Sequence, residues 1–488
     1  MSTGLVMGVV LICLIAITLF ALAPDYISLF VDASFGFMTT KLGIIYILTA
    51  VLALGFALVA CVKYGKKTIG NGEKEYSELT WAAMMFCTGI GGSMMIFSFL
   101  EPIYYLTDPP FDIEPMSVKA YEYAHMYGQF HWGILDWILC VPLSIYVAYA
   151  FWATRSNEKL RIGNMLFNRK FLTNLTEVIC IFAAIGGAAT SMGLAAPIVK
   201  KIIIEMLNLR NQGIVLPIVF GIWLIMYGTS VWRGLQKGIR VLSYVNIFFA
   251  FVFIMLVLLM ANPLRVIKTE INSLGILLTD FFRMTFYTAP FEENGFPQRW
   301  TVFYWALTLA YLPGLAAFTA RISKGRTISE MVLGMVIYGS LGTMLSFGTL
   351  GYYSLYLQKN GIIDVSTILN AQGQETAIFE ILRTLPLSSF FEISFALLCM
   401  IFMATTIDST VYVIASMTMN SKMKGIEPPR WLRIFWAVIL LLFALGLTAV
   451  GGLRTMQTAS VITAFPMAIL TIVAAIRFWR MIAAKGTE

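Results

Sequence analysis

Apolar stretches of about 20 residues recur along the whole chain, and a helix of that length crosses the roughly 30 Å hydrocarbon core of a bilayer. Of the 488 residues, 59% are hydrophobic and 12% are charged. A soluble domain carries about 25% charged residues, so this composition cannot build a water-soluble surface. The sequence therefore predicts an all-α integral membrane protein.

The apolar stretches predict twelve transmembrane helices. Their expected ranges, in chain order, are 4–23, 43–62, 80–106, 127–153, 175–205, 213–232, 240–261, 300–320, 329–356, 388–418, 431–451 and 457–477. The first range lacks a basic lead-in and a small-residue cleavage site, so we expect a retained helix. The segment 270–288 predicts an amphipathic helix on the membrane surface, either a connector or an oligomer contact.

Lys and Arg residues cluster in alternate loops between the predicted helices. The clusters are Lys63–Lys74, Arg155–Lys170, Arg233–Arg240, Arg321–Arg326, Lys422–Arg433 and Arg477–Lys485. Cytoplasmic loops carry the excess of these residues, so the pattern predicts a bacterial inner-membrane protein with both termini in the cytoplasm. The net charge of +8 then reflects topology, and we expect no nucleic-acid partner.

The sequence lacks the residues that are typical of several other functional classes. The two histidines, His125 and His131, are too few for a metal cluster, and the six cysteines fall in apolar stretches. No glycine-rich phosphate loop is present, which argues against an ATP-driven pump. We expect no enzyme activity and no cofactor, while an ion channel is kept as an alternative of another class.

Two predicted helices contain residues that interrupt helices. The third has Thr88–Ser93, rich in glycine, and the eighth has Leu312–Gly314, with a proline. Transporters bind solutes where discontinuous helices occupy matching positions of two repeats. Each motif begins a block of five predicted helices, which favours a secondary transporter, although glycine and proline also serve ordinary packing and kinking.

Aromatic and polar side chains in the fourth predicted helix form a candidate solute site. On a continuous helix with about 3.6 residues per turn, Asp136 projects beside Trp132 and Cys140, with Trp137 farther round. Aromatic faces attract cations, and a carboxylate within a membrane marks a functional site. Alternatively, Trp132 belongs to an interfacial aromatic belt. Further candidate lining residues are Tyr104, Trp305, Leu307, Thr308 and Tyr311.

The tenth predicted helix has a hydroxyl-rich stretch around Thr405 and Thr406. Hydroxyl and carbonyl oxygens suit a hard cation such as sodium. The alternative is that these hydroxyls bond to carbonyl groups of their own helix.

Several motifs together resemble the betaine/carnitine/choline transporter family across nearly the whole chain. They are MMFCTGIGGSMM (84–95) with EP (101–102), FHWGILDW (130–137), TSMGLAAP (190–197), GLQKGIRVLS (234–243), GFPQRWTVFYWA (295–306), ARISKGRT (320–327) and GGLRTMQTA (451–459). The resemblance implies a leucine-transporter-like core of two inverted five-helix repeats, a homotrimer in membrane lipid, and an aromatic cage for a quaternary ammonium head.

The resemblance implies that part of this cage is retained and part is lost. The cage positions that match are Tyr104, Trp132, Trp137 and Tyr311. The positions where the family usually has an aromatic residue and this chain does not are Cys140, Leu307 and Thr308. A carboxylate near the depleted cage favours a head with N–H donors, such as a guanidino acid of the creatine type. Betaine, carnitine or choline remains the alternative.

The resemblance also bears on coupling. The implied sodium ligands are the side chains of Thr405 and Thr406 with backbone carbonyls of Cys87, Ile90 and Phe402. The sodium-independent exchangers of the family carry arginine and methionine where this chain has Asn246 and Leu315. Sodium coupling is therefore expected, with sodium-independent exchange as the alternative. The short, weakly charged ends favour metabolite transport over osmotic regulation.

These expectations define four segments. Residues 1–70 hold two additional helices, 71–262 the first repeat, 263–299 an extracytoplasmic amphipathic helix with its connector, and 300–488 the second repeat with a short tail. We expect solute and sodium to bind near the middle of the membrane and to be exposed to each side in turn as the repeats rock.

Overall fold

The computed structural model describes residues 3–70, 72–88, 91–153, 161–210, 212–233, 235–292, 294–419 and 428–484. Every named element among these residues is a helix, and one isolated antiparallel bridge joins Thr68 to Thr327. The all-α prediction is confirmed for this part of the chain.

The helices are numbered in chain order. The first group is α1 (Thr3–Leu22), α2 (Pro24–Lys41), α3 (Gly43–Tyr64), α4 (Glu78–Thr88), α5 (Gly92–Thr107), α6 (Val118–Trp132), α7 (Ile134–Ala153), α8 (Ile162–Leu166), α9 (Lys170–Leu207), α10 (Val215–Arg233), α11 (Leu235–Met260) and α12 (Pro263–Thr285). The second group is α13 (Val302–Ile322), α14 (Ile328–Ser346), α15 (Tyr352–Lys359), α16 (Val365–Gln372), α17 (Gln374–Arg383), α18 (Ser388–Thr418), α19 (Arg430–Val450) and α20 (Gly452–Ala484). Short π-helical turns at Pro297–Thr301 and Phe347–Gly351 precede α13 and α15.

Nine helical segments of the described chain are long and apolar enough to cross a membrane. They are Gly4–Leu22, Gly43–Tyr64, Val118–Trp152, Lys170–Leu207, Pro297–Ile322, Ile328–Lys359, Ser388–Thr418, Arg430–Val450 and Gly452–Ala484. Of the other three predicted spans, 80–106 is divided between α4 and α5, and 213–232 holds the shorter apolar segment Val215–Val231. The third, 240–261, contains Val245–Met260, which bends by 105° into α12. The count of twelve stays a prediction.

The interruption predicted in span 80–106 is confirmed, whereas the one predicted at Leu312–Gly314 is wrong. The helix α4 ends at Thr88 and α5 begins after an extended Gly91, while Gly89 and Ile90 lie outside the described residues. By contrast, α13 continues through Pro313. Packing of α13 against α7, α9 and α20 offsets the one backbone hydrogen bond that proline removes.

A break that the sequence analysis did not predict separates α6 from α7. Gly133 has φ −102° and ψ −128°, outside the helical region. A Cβ atom at this position would collide with the carbonyl oxygen of Gln129, so only glycine fits here. The assumption of a continuous helix through Trp132 and Asp136 is therefore wrong, and packing alone decides where these side chains lie.

The long helix α9 lies at the centre of the fold and packs against α13, α18, α19 and α20. Small residues allow this close approach, since a Cβ atom on Gly187 would touch Ala310 and one on Gly193 would meet Met456. The other extensive contact joins α7 to α13. These two interfaces position the candidate site described below.

The loop after α3 pairs with the loop before α14. The backbone N–H of Ile69 donates to the carbonyl of Arg326 (2.8 Å). The Arg326 side chain is buried, donates to Glu78 (2.6 Å) and lies 4.1 Å from the ring centre of Trp81. Its hydrogen bond holds the pKa of the Glu78 carboxyl below its usual value. These contacts tie α4 to the start of α14.

The amphipathic helix predicted over 270–288 is observed as α12, which begins earlier. Asn262 caps its first turn by accepting from the N–H of Arg265, and Pro263 occupies the first helical position. One face is apolar and exposed: Leu264, Ile267, Ile271, Leu274, Leu278 and Phe282.

Candidate functional site

One face of α13 carries Tyr304, Thr308 and Tyr311, at the spacing of successive helical turns. Each of these side chains contacts a different neighbour, in α6, α7 and α9 respectively. The face is buried or half-buried along its length. It is therefore the surface on which two predicted site residues of other helices, Trp132 and Asp136, meet α13.

Asp136 meets this face from the first turn of α7. The Thr308 hydroxyl donates a hydrogen bond to Asp136 Oδ1. Asp136 is buried, and the buried ion pairs of the described residues belong to Glu177 and Asp408 instead. A buried carboxylate with one neutral donor and no fixed positive charge can accept a cationic head.

Trp132, the last residue of α6, lies farther along the same face. Its ring centre is 5.4 Å from that of Tyr304 and 6.0 Å from that of Phe97. Its indole N–H donates to Glu101 Oε1 at 2.6 Å. The half-buried indole thus has a fixed orientation and belongs to an aromatic cluster of the kind that attracts organic cations.

Tyr311 links α13 to α9 and to the start of α5. Its hydroxyl lies 2.5 Å from Ser191 Oγ and donates to the Gly187 carbonyl at 2.9 Å. Ser93, in the first turn of α5, donates to Ser191. This chain of hydroxyls connects the interrupted third span to the candidate site through α9.

The other aromatic residues predicted to line the site face different neighbours. The Trp137 indole packs against Gly339 of α14, in the space that a Cβ atom there would fill. The Trp305 ring centre is 5.8 Å from that of His131. The Tyr104 ring lies 4.9 Å from that of Trp300, and its hydroxyl accepts from Gln374.

The two remaining predicted lining residues, Cys140 and Leu307, are buried within the hydrophobic core. Their role in solute binding stays a prediction.

The predicted sodium ligands of α18 are satisfied within their own helix. Thr405 and Thr406 both donate to the Phe402 carbonyl, at 2.8 and 2.9 Å. A Cβ atom on Gly92 would lie 3.0 Å from Phe402 Cβ, so the start of α5 abuts α18 at this point. The carbonyl groups predicted to complete the site belong to Cys87 at the end of α4 and to Ile90, outside the described residues.

Asn246 and Leu315, at which the resemblance implies a difference from sodium-independent exchangers, are both inside the protein. Asn246 is buried, and its side-chain oxygen has no hydrogen-bond partner among the described residues, while Leu315 is half-buried. Neither position carries the residue that the exchangers would have.

Comparison with known proteins decides the family. A family model described as "BCCT, betaine/carnitine/choline family transporter" matches residues 5–487. The chain belongs to the betaine/carnitine/choline transporter family. A relative described as "Uncharacterized transporter YeaV", from Escherichia coli (strain K12), is 30% identical over 430 residues, which cover 86% of this chain and 89% of the relative.

Family membership and the apolar helices make the chain a multi-pass membrane transporter of amine-type solutes. Proteins of this family are transporters rather than enzymes. The site on α13 is therefore a candidate for solute binding.

Three residues of this site were not among the predicted ligands. Tyr304 and Phe97 pack on Trp132, and Ser191 binds Tyr311. Ser191 and Tyr304 lie within motifs that carry the family resemblance, so their position was a usable signal. Phe97 lies outside these motifs, among other apolar residues of α5, and has no such signal.

Proposed function

We propose that this transporter carries a small zwitterion whose cationic head bears N–H donors, such as a guanidino acid of the creatine type. The observation that supports the proposal is Asp136, buried beside α13 with the neutral Thr308 hydroxyl as its donor. A trimethylammonium head has no N–H group to offer this carboxylate. A guanidinium head donates charge-assisted hydrogen bonds, which are about twice as strong as neutral ones.

The positions that lack the family's usual aromatic residues support the same choice. At positions where the family usually has aromatic residues, this chain has Cys140, Leu307 and Thr308, and Thr308 binds Asp136 directly. These smaller side chains offer fewer aromatic faces to a methylated head and leave the carboxylate as the main attraction for a positive charge.

Betaine, carnitine or choline is the second candidate, and a specific observation favours it. Trp132 lies in contact with Tyr304 and Phe97, so a group of aromatic rings remains on the α13 face whose Thr308 binds Asp136. Such faces contribute about 0.5 to 2 kcal/mol per contact with a cation. Both candidates use the same site and differ in whether Asp136 or Trp132 contributes more.

We further propose sodium-coupled alternating access. The abutment of α5 and α18 at Phe402, beside the Thr405 and Thr406 hydroxyls, supports a cation site at the interrupted third span. The two five-helix blocks, 71–262 and 300–488, would rock about it, with 1–70 and 263–299 as additions. The distribution of Lys and Arg supports an inner-membrane location with cytoplasmic termini. The exposed apolar face of α12 is compatible with the proposed homotrimer.

The test is uptake of labelled creatine and labelled glycine betaine into proteoliposomes, each with and without an inward sodium gradient. Protein-free liposomes and the Asp136→Asn variant serve as controls. We expect creatine to accumulate only with the gradient. Uptake of glycine betaine alone would contradict the substrate proposal, and creatine uptake that ignores the gradient would contradict the coupling proposal.

A further inference from the structure

Glu101 is a buried carboxyl group that the proposed transport mechanism does not use. It lies in α5 directly before Pro102, and its side chain has no exposed surface. Its oxygens accept hydrogen bonds from the Tyr105 hydroxyl (3.0 Å) and the Trp132 indole (2.6 Å). Both donors are neutral. A buried carboxylate without a counter-charge is costly, and uptake of a proton removes that cost.

Within the part of the chain that the structure describes, the groups that face Glu101 carry no fixed positive charge. Tyr304 of α13 and Asp136 of α7 lie close enough to interact with it electrostatically. Tyr105 is on its own helix, and Phe347, from the π-helical turn before α15, is apolar and packs near it beside Gly128 of α6. The titratable base His131 of α6 is linked to Glu101 through the Tyr105 hydroxyl. Because Asp136 is a second carboxyl group, a negative charge on Glu101 and on Asp136 at the same time is unfavourable.

A continuous chain of hydrogen bonds leads away from Glu101. The Tyr105 hydroxyl lies 2.8 Å from His131 Nδ1, and His131 Nε2 lies 3.0 Å from Thr301 Oγ1. Each of these groups can accept a proton on one side and donate another on the opposite side. Thr301 ends the π-helical turn that follows the connection between α12 and α13. The chain therefore joins the buried carboxyl to that connection.

The opposite side of Glu101 faces the solute site. The Trp132 indole donates to Glu101, and its ring also packs on Tyr304. Tyr304 lies on the α13 face that carries Thr308, the donor to Asp136. A cation held on that face stabilises a negative charge on Glu101 and disfavours its protonation. One carboxyl group thus lies between a route for protons and a site for cationic heads.

We propose that Glu101 is a proton-binding site, and that a cationic solute head and a proton compete for its negative charge. When the head binds, the Glu101 O–H bond breaks and the proton passes to the Tyr105 oxygen. Tyr105 gives its own proton to His131 Nδ1, and His131 gives its Nε2 proton to Thr301, whose hydroxyl proton leaves to water. One positive charge enters and one leaves, with no electron transferred.

This competition makes solute binding depend on pH. The site binds solute more tightly on the more alkaline side of the membrane and releases it more readily on the more acidic side, whether or not sodium accompanies the solute. The solute half of the inference rests on the proposed function, because it requires the head to bind beside Trp132. The proton half does not, so the two are tested separately.

The first experiment needs no solute. Infrared spectra of the purified protein in lipid are recorded while the pH is raised, and the C=O band of protonated carboxyl groups is followed. We expect a component of this band to disappear on alkalinisation in the wild type and to be missing in Glu101→Gln. Glu392→Gln makes the same chemical change at another buried position, in α18, and should keep the component. An unchanged band in Glu101→Gln would overturn the proposal.

The second experiment counts protons. Binding of creatine and of glycine betaine is measured calorimetrically, at equal sodium, in buffers with different heats of protonation. We expect release of about one proton per bound solute and an affinity that rises up to about tenfold per pH unit below the pH at which the infrared component disappears. Both effects should vanish in Glu101→Gln and persist in Glu392→Gln.

The outcomes separate the two proposals. Binding without proton release would overturn the competition at Glu101 and leave the proposed function intact. Binding of neither solute would contradict the proposed function, and the infrared result would still decide whether Glu101 takes up a proton.

Discussion

At the scale of single residues, the main chemical feature of this site is its two buried carboxyl groups, Asp136 and Glu101. Asp136 accepts from Thr308, and Glu101 accepts from Trp132 and Tyr105. Their donors are neutral, so neither carboxyl is neutralised within the described protein. A solute with a positive head can supply the missing charge to Asp136, and a proton can supply it to Glu101.

Replacing Asp136 with asparagine should discriminate between solutes. Loss of a hydrogen bond to a charged group costs about 1.5 to 3 kcal/mol, which corresponds to about 10-fold to 100-fold in affinity for creatine. Glycine betaine, which has no N–H donor, should lose much less. Calorimetric titration of both solutes measures the difference, and equal losses would mean that Asp136 has a structural role.

Some of these residue contacts follow from the sequence and others do not. Asp136 was a candidate ligand because a carboxylate is costly within an apolar stretch, and Thr308 because the resemblance implies an aromatic cage residue at its position. The direction of Trp137 was not predictable, because it depends on the break at Gly133 and on the space that Gly339 leaves. A lone glycine in an apolar stretch is ordinarily read as part of a continuous helix.

At the scale of helices, the site depends on close packing of α7 against α13 and α14. Gly339 of α14 leaves the space that the Trp137 indole occupies. This contact fixes the first turns of α7, where Asp136 lies.

Gly339→Ala should therefore destabilise the protein, because overpacking a tight contact costs about 1 to 3 kcal/mol. Gly221→Ala is the matched control, since a Cβ atom on Gly221 of α10 meets nothing within 4 Å. That control should be neutral or stabilising by up to about 1 kcal/mol, because alanine favours helix. Thermal unfolding of both purified variants checks this, and equal shifts would contradict the role of Gly339.

A buried ion pair joins α18 to α19. Arg433 donates to Asp408 Oδ1 at 3.1 Å, and Ser230 of α10 donates to the other carboxylate oxygen at 2.6 Å. Both charged side chains are almost fully buried. The three helices are thus held together next to the hydroxyl-rich turn of α18.

Asp408→Asn should lower stability strongly, because removal of one partner from a buried pair costs about 3 to 5 kcal/mol. Glu205→Gln makes the corresponding change in the exposed pair with Lys201 and should cost at most about 1 kcal/mol. Unfolding temperatures of the two variants test this. If both unfolding temperatures fall equally, burial does not determine how much the Asp408–Arg433 pair contributes to stability.

The helices themselves show what periodicity can and cannot determine. The glycine stretch before Ser93 interrupts its helix as predicted, whereas α13 runs through Pro313. Local composition indicates how much free energy a glycine or proline costs a helix, but tertiary packing decides whether the helix continues through it. The second case therefore required the structure.

At the scale of the whole molecule, family membership and nine apolar helices among the described residues establish a multi-pass transporter. The apolar stretches were sufficient to predict an all-α membrane protein, since about 20 apolar residues are the length that spans a bilayer. Their exact number was harder to predict, because an interrupted span and a sharply bent pair do not read as single long helices.

The most direct test of the account is a cryo-electron microscopy structure of the protein in lipid nanodiscs with saturating creatine. We expect solute density between α7 and α13, with the guanidinium within hydrogen-bonding distance of Asp136 and beside the Trp132 ring. Density elsewhere, for example between Tyr104 and Trp300, or a vacant space beside Asp136 at saturation, would contradict it.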